Sequence, residues 1–323
     1  MKGHALAMLA LWVVASTGAA EPRVFPVAET ASQNDVYPDR VTHFPHGVTG
    51  LADVTYSVLP GFRPLVLDLY QPDGGAEHPL VLFIHGGGWI GGNTRHSGAL
   101  ADFPQAMAQL AAEGFVVASV EYRLSGEAPF PAALQDVRAA LRYLKDNADR
   151  YRIDSSRVAV WGGSAGGQLA ALAAVSCGEQ GLDAQPAPAR TECVQGAVIW
   201  YGVFDFAPVV ARTDEAAANR YLGCNGSCEA EVVRHASPVT YVTADDPPFL
   251  LVHGEGDRTV DVGQSRDFET TLRKSQVSVE SLYIPGVDHS FIGRTAAETR
   301  SATLAATNAT FDFFHQLFGK TQR

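Results

Sequence analysis

Basic residues are scarce in this chain of 323 residues, in which 24 Lys and Arg stand against 35 Asp and Glu and give a formal net charge of −11. The few Lys and Arg form no cluster along the sequence. Because nucleic acids and anionic membrane surfaces are bound through such clusters, the composition argues against both kinds of partner. Internal repeats and low-complexity linkers are absent as well, which favours one folded domain.

Long apolar runs are missing too. The run at residues 5–14 has ten residues, which is too few to span a bilayer. Lys2 precedes it and small residues follow at 15–20, as in a secretory signal peptide, with a buried helix as the alternative. We therefore expect residues 1–20 to be removed and the remaining chain to be secreted or periplasmic, with no membrane partner.

Cysteine is limited to four residues. In an exported chain four cysteines predict two disulfides, and of the three possible pairings the local one is favoured, Cys177 with Cys193 and Cys224 with Cys228. The alternative is a metal site built on Cys224 and Cys228, but it needs two further ligands and the neighbourhood offers only His235. We expect no metal.

A serine between glycines is the most informative motif. Ser164 lies in the segment 161–167, Trp-Gly-Gly-Ser-Ala-Gly-Gly, after the apolar run 158–160 and before the helix-prone run 168–172. A strand that turns sharply into a helix needs small residues at the turn, because a Cβ there would strike the backbone. The pattern predicts a nucleophilic serine at the carboxyl end of a strand; a solvated glycine-rich turn and a phosphate-binding loop are the alternatives.

A second glycine-rich loop supports the first interpretation. Residues 85–89, His-Gly-Gly-Gly-Trp, follow the apolar run 80–84. Consecutive glycines let backbone N–H groups point at a developing oxyanion, and we expect Gly87, Gly88 and Ala165 to supply these donors. A phosphate loop would carry a lysine near its end, and neither segment has one.

Aromatic side chains near these loops are candidates for substrate binding. Trp89 and Tyr122 are predicted to line an acyl pocket, with packing inside the protein as the alternative. No dinucleotide-binding fingerprint follows the first strand, so we expect no cofactor.

A nucleophilic serine needs a histidine base further along the chain. His289 follows the alternating strand 277–284 in a loop that can bend over the edge of the sheet, so it is the predicted base. His315 is the alternative, although its amphipathic surroundings at 310–318 predict a helix surface.

The base in turn needs a carboxylate. Asp257 follows the apolar strand 248–253, which delivers it to the same edge of the sheet as Ser164, and it is the predicted acid. Glu255 is the alternative. Asp288 adjoins the base in sequence, and we expect it to be solvated.

Strand and helix patterns alternate along the chain, which predicts an α/β fold with a mostly parallel, eight-stranded sheet covered by helices on both faces. The first two strands form a hairpin predicted at one edge. We expect an irregular arm at 21–50, one domain at 51–323, and a small insertion at 203–245 near the active-site mouth, or else a surface excursion. Strands are predicted near 54–59, 65–70, 80–85, 115–121, 158–162, 196–201, 248–254 and 277–284, and helices near 101–113, 131–148, 166–176, 262–275 and 295–318.

These motifs resemble the α/β-hydrolase superfamily. Residues 85–89, Glu-Tyr-Arg-Leu at 121–124, Phe-Pro-Ala at 130–132 with Asp136, and residues 162–167 are similar to carboxylesterases related to hormone-sensitive lipase and to bacterial feruloyl and acetyl esterases. The resemblance covers roughly residues 52–318.

The resemblance implies a cofactor-free exported esterase with a Ser-His-Asp triad and an acyl-enzyme intermediate. Its substrates would be small-molecule or polysaccharide-linked esters, such as feruloyl or acetyl side groups of plant polysaccharide, or small aryl and short-chain acyl esters. An aryl formamidase, a serine peptidase of the same fold and a non-enzymatic adhesion module are the alternatives.

Overall fold

Apolar runs of the sequence become the central strands of the structure. The computed structural model describes residues 40–183, 192–212 and 216–319, so the predicted signal peptide at 1–20 and the arm up to residue 39 lie outside the described residues. Where strands are covered on both faces they read as continuous apolar runs. The strands are β1 (Arg40–Phe44), β2 (Val48–Ser57), β3 (Leu65–Pro72), β4 (His78–Ile84), β5 (Val116–Val120), β6 (Ile153–Gly163), β7 (Gly196–Trp200), β8 (Phe249–Gly254) and β9 (Val279–Ile284).

These strands form one sheet in the order β1-β2-β3-β5-β4-β6-β7-β8-β9. From β5 to β9 all neighbours run parallel, whereas the pairs β1–β2, β2–β3 and β3–β5 are antiparallel. The described helices are α1 (Phe103–Ala112), α2 (Ala132–Asp146), α3 (Ala148–Tyr151), α4 (Ala165–Val175), α5 (Ala207–Val210), α6 (Ala216–Leu222), α7 (Ala230–Ala236), α8 (Gly263–Lys274) and α9 (Ala296–Phe318).

Helices cover both faces of the sheet, as predicted. All seven residues of β4 are buried, and residues 80–84 alternate between two apolar clusters because side chains in a strand alternate in direction. Leu80 and Leu82 join the cluster that contains the buried faces of α2, α4 and α8. Val81 and Phe83 join the cluster that contains those of α1 and α9. The core therefore lies in two layers, with β4 and β6 at its centre.

The prediction of eight strands was wrong by one, because β1 pairs with β2 outside the β2–β3 hairpin. The predicted hairpin of β2 and β3 is antiparallel as expected, but the outermost strand on that side of the sheet is β1. Residues 40–50 are therefore largely strand rather than an irregular arm. Four of the five β1 residues are exposed, so this strand has no apolar pattern to identify it.

Both disulfides pair as predicted, Cys177 with Cys193 and Cys224 with Cys228. The second disulfide occupies the two thiols that the alternative metal site would need. No cluster of His, Cys, Asp and Glu suited to a metal ion occurs within residues 40–183, 192–212 and 216–319. None of the helices in those ranges is long and apolar enough to cross a membrane.

Candidate active site

The turn from β6 into α4 holds Ser164 in a conformation that few residues adopt. Its φ is 57° and its ψ is −122°, and α4 begins at the next residue. A Cβ on Gly166 would lie 2.0 Å from the carbonyl oxygen of Ile84, and one on Gly162 would lie 2.2 Å from the carbonyl oxygen of Gly166. The close approach of β4, β6 and α4 thus requires glycine on both sides of the serine.

Ser164, His289 and Asp257 meet at the carboxyl edge of the sheet. The imidazole Nε2 of His289 lies 3.0 Å from the hydroxyl of Ser164, and its Nδ1 lies 2.7 Å from Oδ2 of Asp257. Because a carboxylate only accepts, Nδ1 carries the proton and Nε2 is left to accept from the serine hydroxyl. Each of the three residues follows the carboxyl end of a strand, β6, β8 or β9.

The carboxylate of Asp257 is buried and fully engaged. Its Oδ1 accepts from the backbone N–H groups of Thr259 and Val260, both at 2.8 Å. Burial by itself raises the pKa of Asp257, but hydrogen bonds from His253 and His289 outweigh it and hold that pKa well below its usual range. Asp257 is therefore an anion throughout the neutral range.

The loop after β4 presents backbone donors beside Ser164. Gly87 and Gly88 have φ values of 113° and 60°, and the N–H of Ile90 closes the turn on the carbonyl of Gly87 at 3.1 Å. Within the described part of the chain, the N–H groups of Gly87, Gly88 and Ala165 have no protein acceptor. Gly87 and Gly88 line a cavity together with Ser164, and Ala165 is the next residue, so these N–H groups are the candidates for an oxyanion hole.

His85 and Tyr122 stabilise this loop through hydrogen bonds to its backbone. The imidazole Nδ1 of His85 donates to the carbonyl of Gly86 at 2.7 Å, and the hydroxyl of Tyr122 donates to the carbonyl of His85 at 3.0 Å. The two rings stack at 4.3 Å between centroids. Burial lowers the pKa of His85 to about 4. Tyr122 is buried under the loop, so the placement expected for it in the acyl pocket was wrong, and packing, the alternative, applies.

Two cavities meet at Ser164. One, of ≈ 300 Å³, has a largely apolar wall that includes Trp89, Val209 and Ala217. The other, of ≈ 420 Å³, is also walled mainly by apolar surface, and the residues that line it include glycines, Ser97 and the candidate base His289. Gly88, Ser164 and Thr259 border both cavities.

The insertion at 203–245 contributes α5, α6 and α7, and it builds part of the apolar cavity rather than a separate surface excursion. Val203, Pro208 and Ala218 line that cavity together with the residues named above. Gln264 of α8 holds the start of the insertion, because its Oε1 accepts from the N–H groups of Phe204 and Asp205 at 2.8 and 2.9 Å.

The alternative acid and base candidates are engaged elsewhere. His315 contacts Glu113 through Nε2 at 2.8 Å, and Glu255 pairs with Arg266 at 2.8 Å. Asp288 is not simply solvated, since it binds the guanidinium of Arg258 and also accepts from the N–H of His289 at 2.7 Å. Asp288 therefore shapes the turn that carries the imidazole.

Two buried polar residues at the site are not among the predicted site residues. Gln168 of α4 accepts from the indole N–H of Trp89 at 3.0 Å, and His253 at the end of β8 lies 3.2 Å from the carboxylate of Asp257. The position of Gln168 one turn into the nucleophile helix is the only sequence signal for its role. For His253 the signal is its place four residues before Asp257.

Known proteins resemble this chain in sequence. The model of the BD-FAE family matches residues 67–272, more than half of the chain. Esterase LipQ of Mycobacterium tuberculosis is 31% identical over 284 residues, covering 83% of this chain and 63% of its own. Esterase LipC of the same organism is 32% identical over 218 residues, covering 66% of this chain and 53% of its own. The chain thus spans less than two thirds of the length of either relative.

Solved structures resemble it as well. A truncated carbohydrate esterase from gut microbiota superimposes with a TM-score of 0.68 at 27% identity, covering 83% of this chain and 95% of its own. The resemblance to α/β-hydrolase carboxylesterases that the motifs suggested is confirmed. With its family model matched from residue 67 to residue 272 and this fold around the paired glycine loops, the chain belongs to the BD-FAE family of α/β-hydrolases.

Proposed function

We propose that the protein is a serine carboxylesterase that acts through a Ser164–His289–Asp257 triad and an acyl-enzyme. The observation that carries the proposal is the chain of hydrogen bonds from Ser164 Oγ to His289 Nε2 at 3.0 Å and from His289 Nδ1 to Asp257 Oδ2 at 2.7 Å. The names of the curated relatives, both esterases, support the same reaction.

The geometry supports a definite order of steps. His289 removes the hydroxyl proton as Ser164 attacks the ester carbonyl, while Asp257 fixes the imidazole and stabilises the imidazolium. The N–H groups of Gly87 and Gly88, with that of Ala165, stabilise the oxyanion, and loss of one such donor typically lowers the rate by ~10²–10³. His289 then protonates the departing alcohol, and water deacylates the serine by the same route.

The two cavities divide the substrate between them. The alcohol must leave on the side of the proton donor, so it occupies the cavity that His289 lines. The acyl group then points into the apolar cavity beside Trp89. The first cavity suits a short acyl or aryl group, and the second, which is larger and lined by His96, Ser97 and His289, offers hydrogen-bonding residues to a hydroxyl-bearing alcohol. The structural similarity to a carbohydrate esterase supports the choice of polysaccharide-linked esters as substrates of this chain.

Export is part of the proposal. Two disulfides are stable in oxidising compartments and rare in the cytosol of most organisms. The signal-peptide pattern at 1–20 points the same way, toward a secreted or periplasmic enzyme.

Replacing the nucleophile tests the reaction. Ser164→Ala should reduce turnover of p-nitrophenyl acetate to near background, and a fluorophosphonate probe should add its mass to Ser164 of the parent protein. Ser156→Ala is the matched control, because Ser156 lies at the opposite end of β6 and binds Asp154. Activity retained by Ser164→Ala would remove the triad, and cleavage of a chromogenic dipeptide amide would favour a peptidase.

A substrate panel tests the finer assignment. We expect acetylated xylan and methyl ferulate to be cleaved with higher kcat/KM than long-chain p-nitrophenyl esters. If kcat/KM instead rises steadily with acyl length and acetylated xylan is untouched, the polysaccharide assignment is wrong and the triad stands.

A further inference from the structure

Two histidine nitrogens lie beside one oxygen of Asp257. Its Oδ2 lies 2.7 Å from Nδ1 of His289 and 3.2 Å from Nε2 of His253. His253 is the last residue but one of β8 and has 0% exposure, and it borders neither cavity at Ser164. Because His253 reaches neither cavity, it does not contact the substrate, and its role must come from the protein groups around it.

The surroundings of His253 define its tautomer. Nε2 faces the carbonyl oxygen of Val260 at 3.0 Å as well as Asp257, and both groups only accept. The proton therefore lies on Nε2. Nδ1 is left to accept from the hydroxyl of Ser265, which is 2.7 Å away and fully buried.

With this tautomer, every oxygen of the Asp257 carboxylate is fixed. Oδ1 accepts from the N–H groups of Thr259 and Val260, and Oδ2 lies between Nδ1 of His289, which donates to it, and Nε2 of His253 at 3.2 Å. Without His253, rotation of the carboxylate about its Cβ–Cγ bond would be limited on the Oδ2 side by His289 alone, the group that the carboxylate has to orient.

We propose that His253, with its tautomer set by Ser265, is a positioning residue that holds Oδ2 of Asp257 toward His289. The proposal rests on the proposed esterase function. It extends the triad by a histidine and a serine that do not touch the substrate.

The sign of the electrostatic effect follows from the direction of the N–H bond. The Nε2–H of His253 donates to the carbonyl of Val260 and lies 3.2 Å from Oδ2, so its partial positive charge partly neutralises the carboxylate, and its removal strengthens the attraction of Asp257 for a protonated His289. Ionisable groups next to the pair also include Tyr201, whose ring centroid lies 4.7 Å from that of His289, and the Arg258–Asp288 ion pair on the adjoining loops. They are unchanged by substitution of His253. The acid limb of kcat/KM should therefore move to higher pH.

The experiment compares His253→Phe, His253→Gln and Ser265→Ala in the full-length protein. In His253→Phe we expect kcat for p-nitrophenyl acetate to fall between about tenfold and about 10²-fold with KM unchanged, because the base is misplaced and the pocket is not. The acid limb should shift upward by about half a pH unit. His253→Gln, which keeps an N–H donor, should recover most of the kcat, and Ser265→Ala should lie between the two.

His78→Gln is the matched control. His78 is also a buried histidine, and its Nδ1 lies 3.1 Å from the carbonyl oxygen of Gly114, but it begins β4 at the opposite edge of the sheet. Its substitution should lower thermal stability without changing kcat or the acid limb. Titration of active serines with a fluorophosphonate normalises each kcat to the folded fraction.

Two outcomes would overturn the inference. One is an unchanged kcat and acid limb in both His253→Phe and Ser265→Ala, measured on protein whose turnover depends on Ser164. The other, readable even if the protein cleaves no ester, is an unchanged low-field proton resonance for the His289 Nδ1–H in the substrate-free His253→Phe protein, where we expect a shift. Loss of folding in His253→Phe leaves His253→Gln and Ser265→Ala to decide.

Discussion

The indole N–H of Trp89 donates to Oε1 of Gln168 across 3.0 Å, and this contact joins the loop after β4 to the helix that begins behind Ser164. The Nε2 group of Gln168 donates to the carbonyl of Ala236 in α7 at 2.9 Å. Gln168 is fully buried. One amide therefore links the loop that contains Gly87 and Gly88, the helix that begins after Ser164 and the insertion that lines the apolar cavity.

Removing this amide should impair both the reaction and the fold. Gln168→Met keeps the volume but leaves the Trp89 N–H and the Ala236 carbonyl unpaired, at about 1–3 kcal/mol of unfolding free energy each. We expect kcat to fall by about 10-fold or more, because the loop at 85–89 shifts relative to Ser164. Steady-state kinetics and urea unfolding measure the two effects.

Gln135→Met provides the comparison, since Gln135 of α2 also donates to a carbonyl, that of Leu182 at 3.2 Å. It should lose stability and keep its kcat. Equal losses of kcat in both variants would mean that Gln168 has no specific role at the site.

Two adjacent glycines of the loop at 85–89, Gly87 and Gly88, should differ in how well they tolerate substitution by alanine. At Gly87 a Cβ would lie 2.2 Å from the carbonyl oxygen of Gly91, so Gly87→Ala must displace backbone and should abolish activity or folding. At Gly88 the nearest atom would be Cβ of Ala217 at 3.6 Å, and a φ of 60° costs about 1–2 kcal/mol. Gly88→Ala should therefore fold, with a modest drop in melting temperature. A soluble, active Gly87→Ala protein would contradict the loop geometry.

The size of the apolar cavity should set the accepted acyl length. Ala217 lines the ≈ 300 Å³ cavity, so Ala217→Phe should fill part of it and lower kcat/KM for p-nitrophenyl hexanoate at least tenfold more than for the acetate, since excluded methylenes each carry about 1 kcal/mol. Ala216→Phe adds the same ring one position earlier, on an exposed residue that does not line the cavity. Equal changes for both esters would place the acyl group elsewhere.

The parts of the fold that could be predicted are those in which burial leaves a pattern. The strands β4 and β8 are buried throughout and read as continuous apolar runs. The strand β1 is exposed, and β2 has a shifted register between Leu51 and Val54, with Asp53 at a φ of 57°, which breaks its alternation. The strand β1 and the first half of β2 are defined only by their pairing with neighbouring strands. A short stretch of sequence does not show which strand it pairs with.

The same reasoning separates the predictable from the unpredictable parts of the site. Ser164, Asp257 and His289 each follow a recognisable strand, so topology alone brings them to one edge. The partners of Gln168 are Trp89 and Ala236, which lie far from it in the sequence, so no local motif indicates these contacts. The partners of His253 lie within twelve residues of it, but its contacts depend on side-chain rotamers and on how the loop after β8 folds back.

Acid should destabilise the protein through His85. Burial lowers the pKa of His85 to about 4, against about 6.5 for an exposed histidine. Between these two values the unfolded chain binds a proton that the folded protein excludes, so the free energy of unfolding falls as the pH falls through this window. The loss is absent above about pH 6.5 and approaches about 3 kcal/mol near pH 4.

His85→Asn isolates this contribution, because its amide can still donate to the carbonyl of Gly86 but does not titrate. Urea unfolding of both proteins at pH 7 and pH 4.5 measures it. The parent should lose about 2–3 kcal/mol more than His85→Asn between the two pH values, since all other titrating groups are common to both. If the two proteins lose the same free energy of unfolding, the imidazole of His85 takes up a proton in the folded state without penalty. Burial of His85 under the loop at 85–89 would then not lower its pKa.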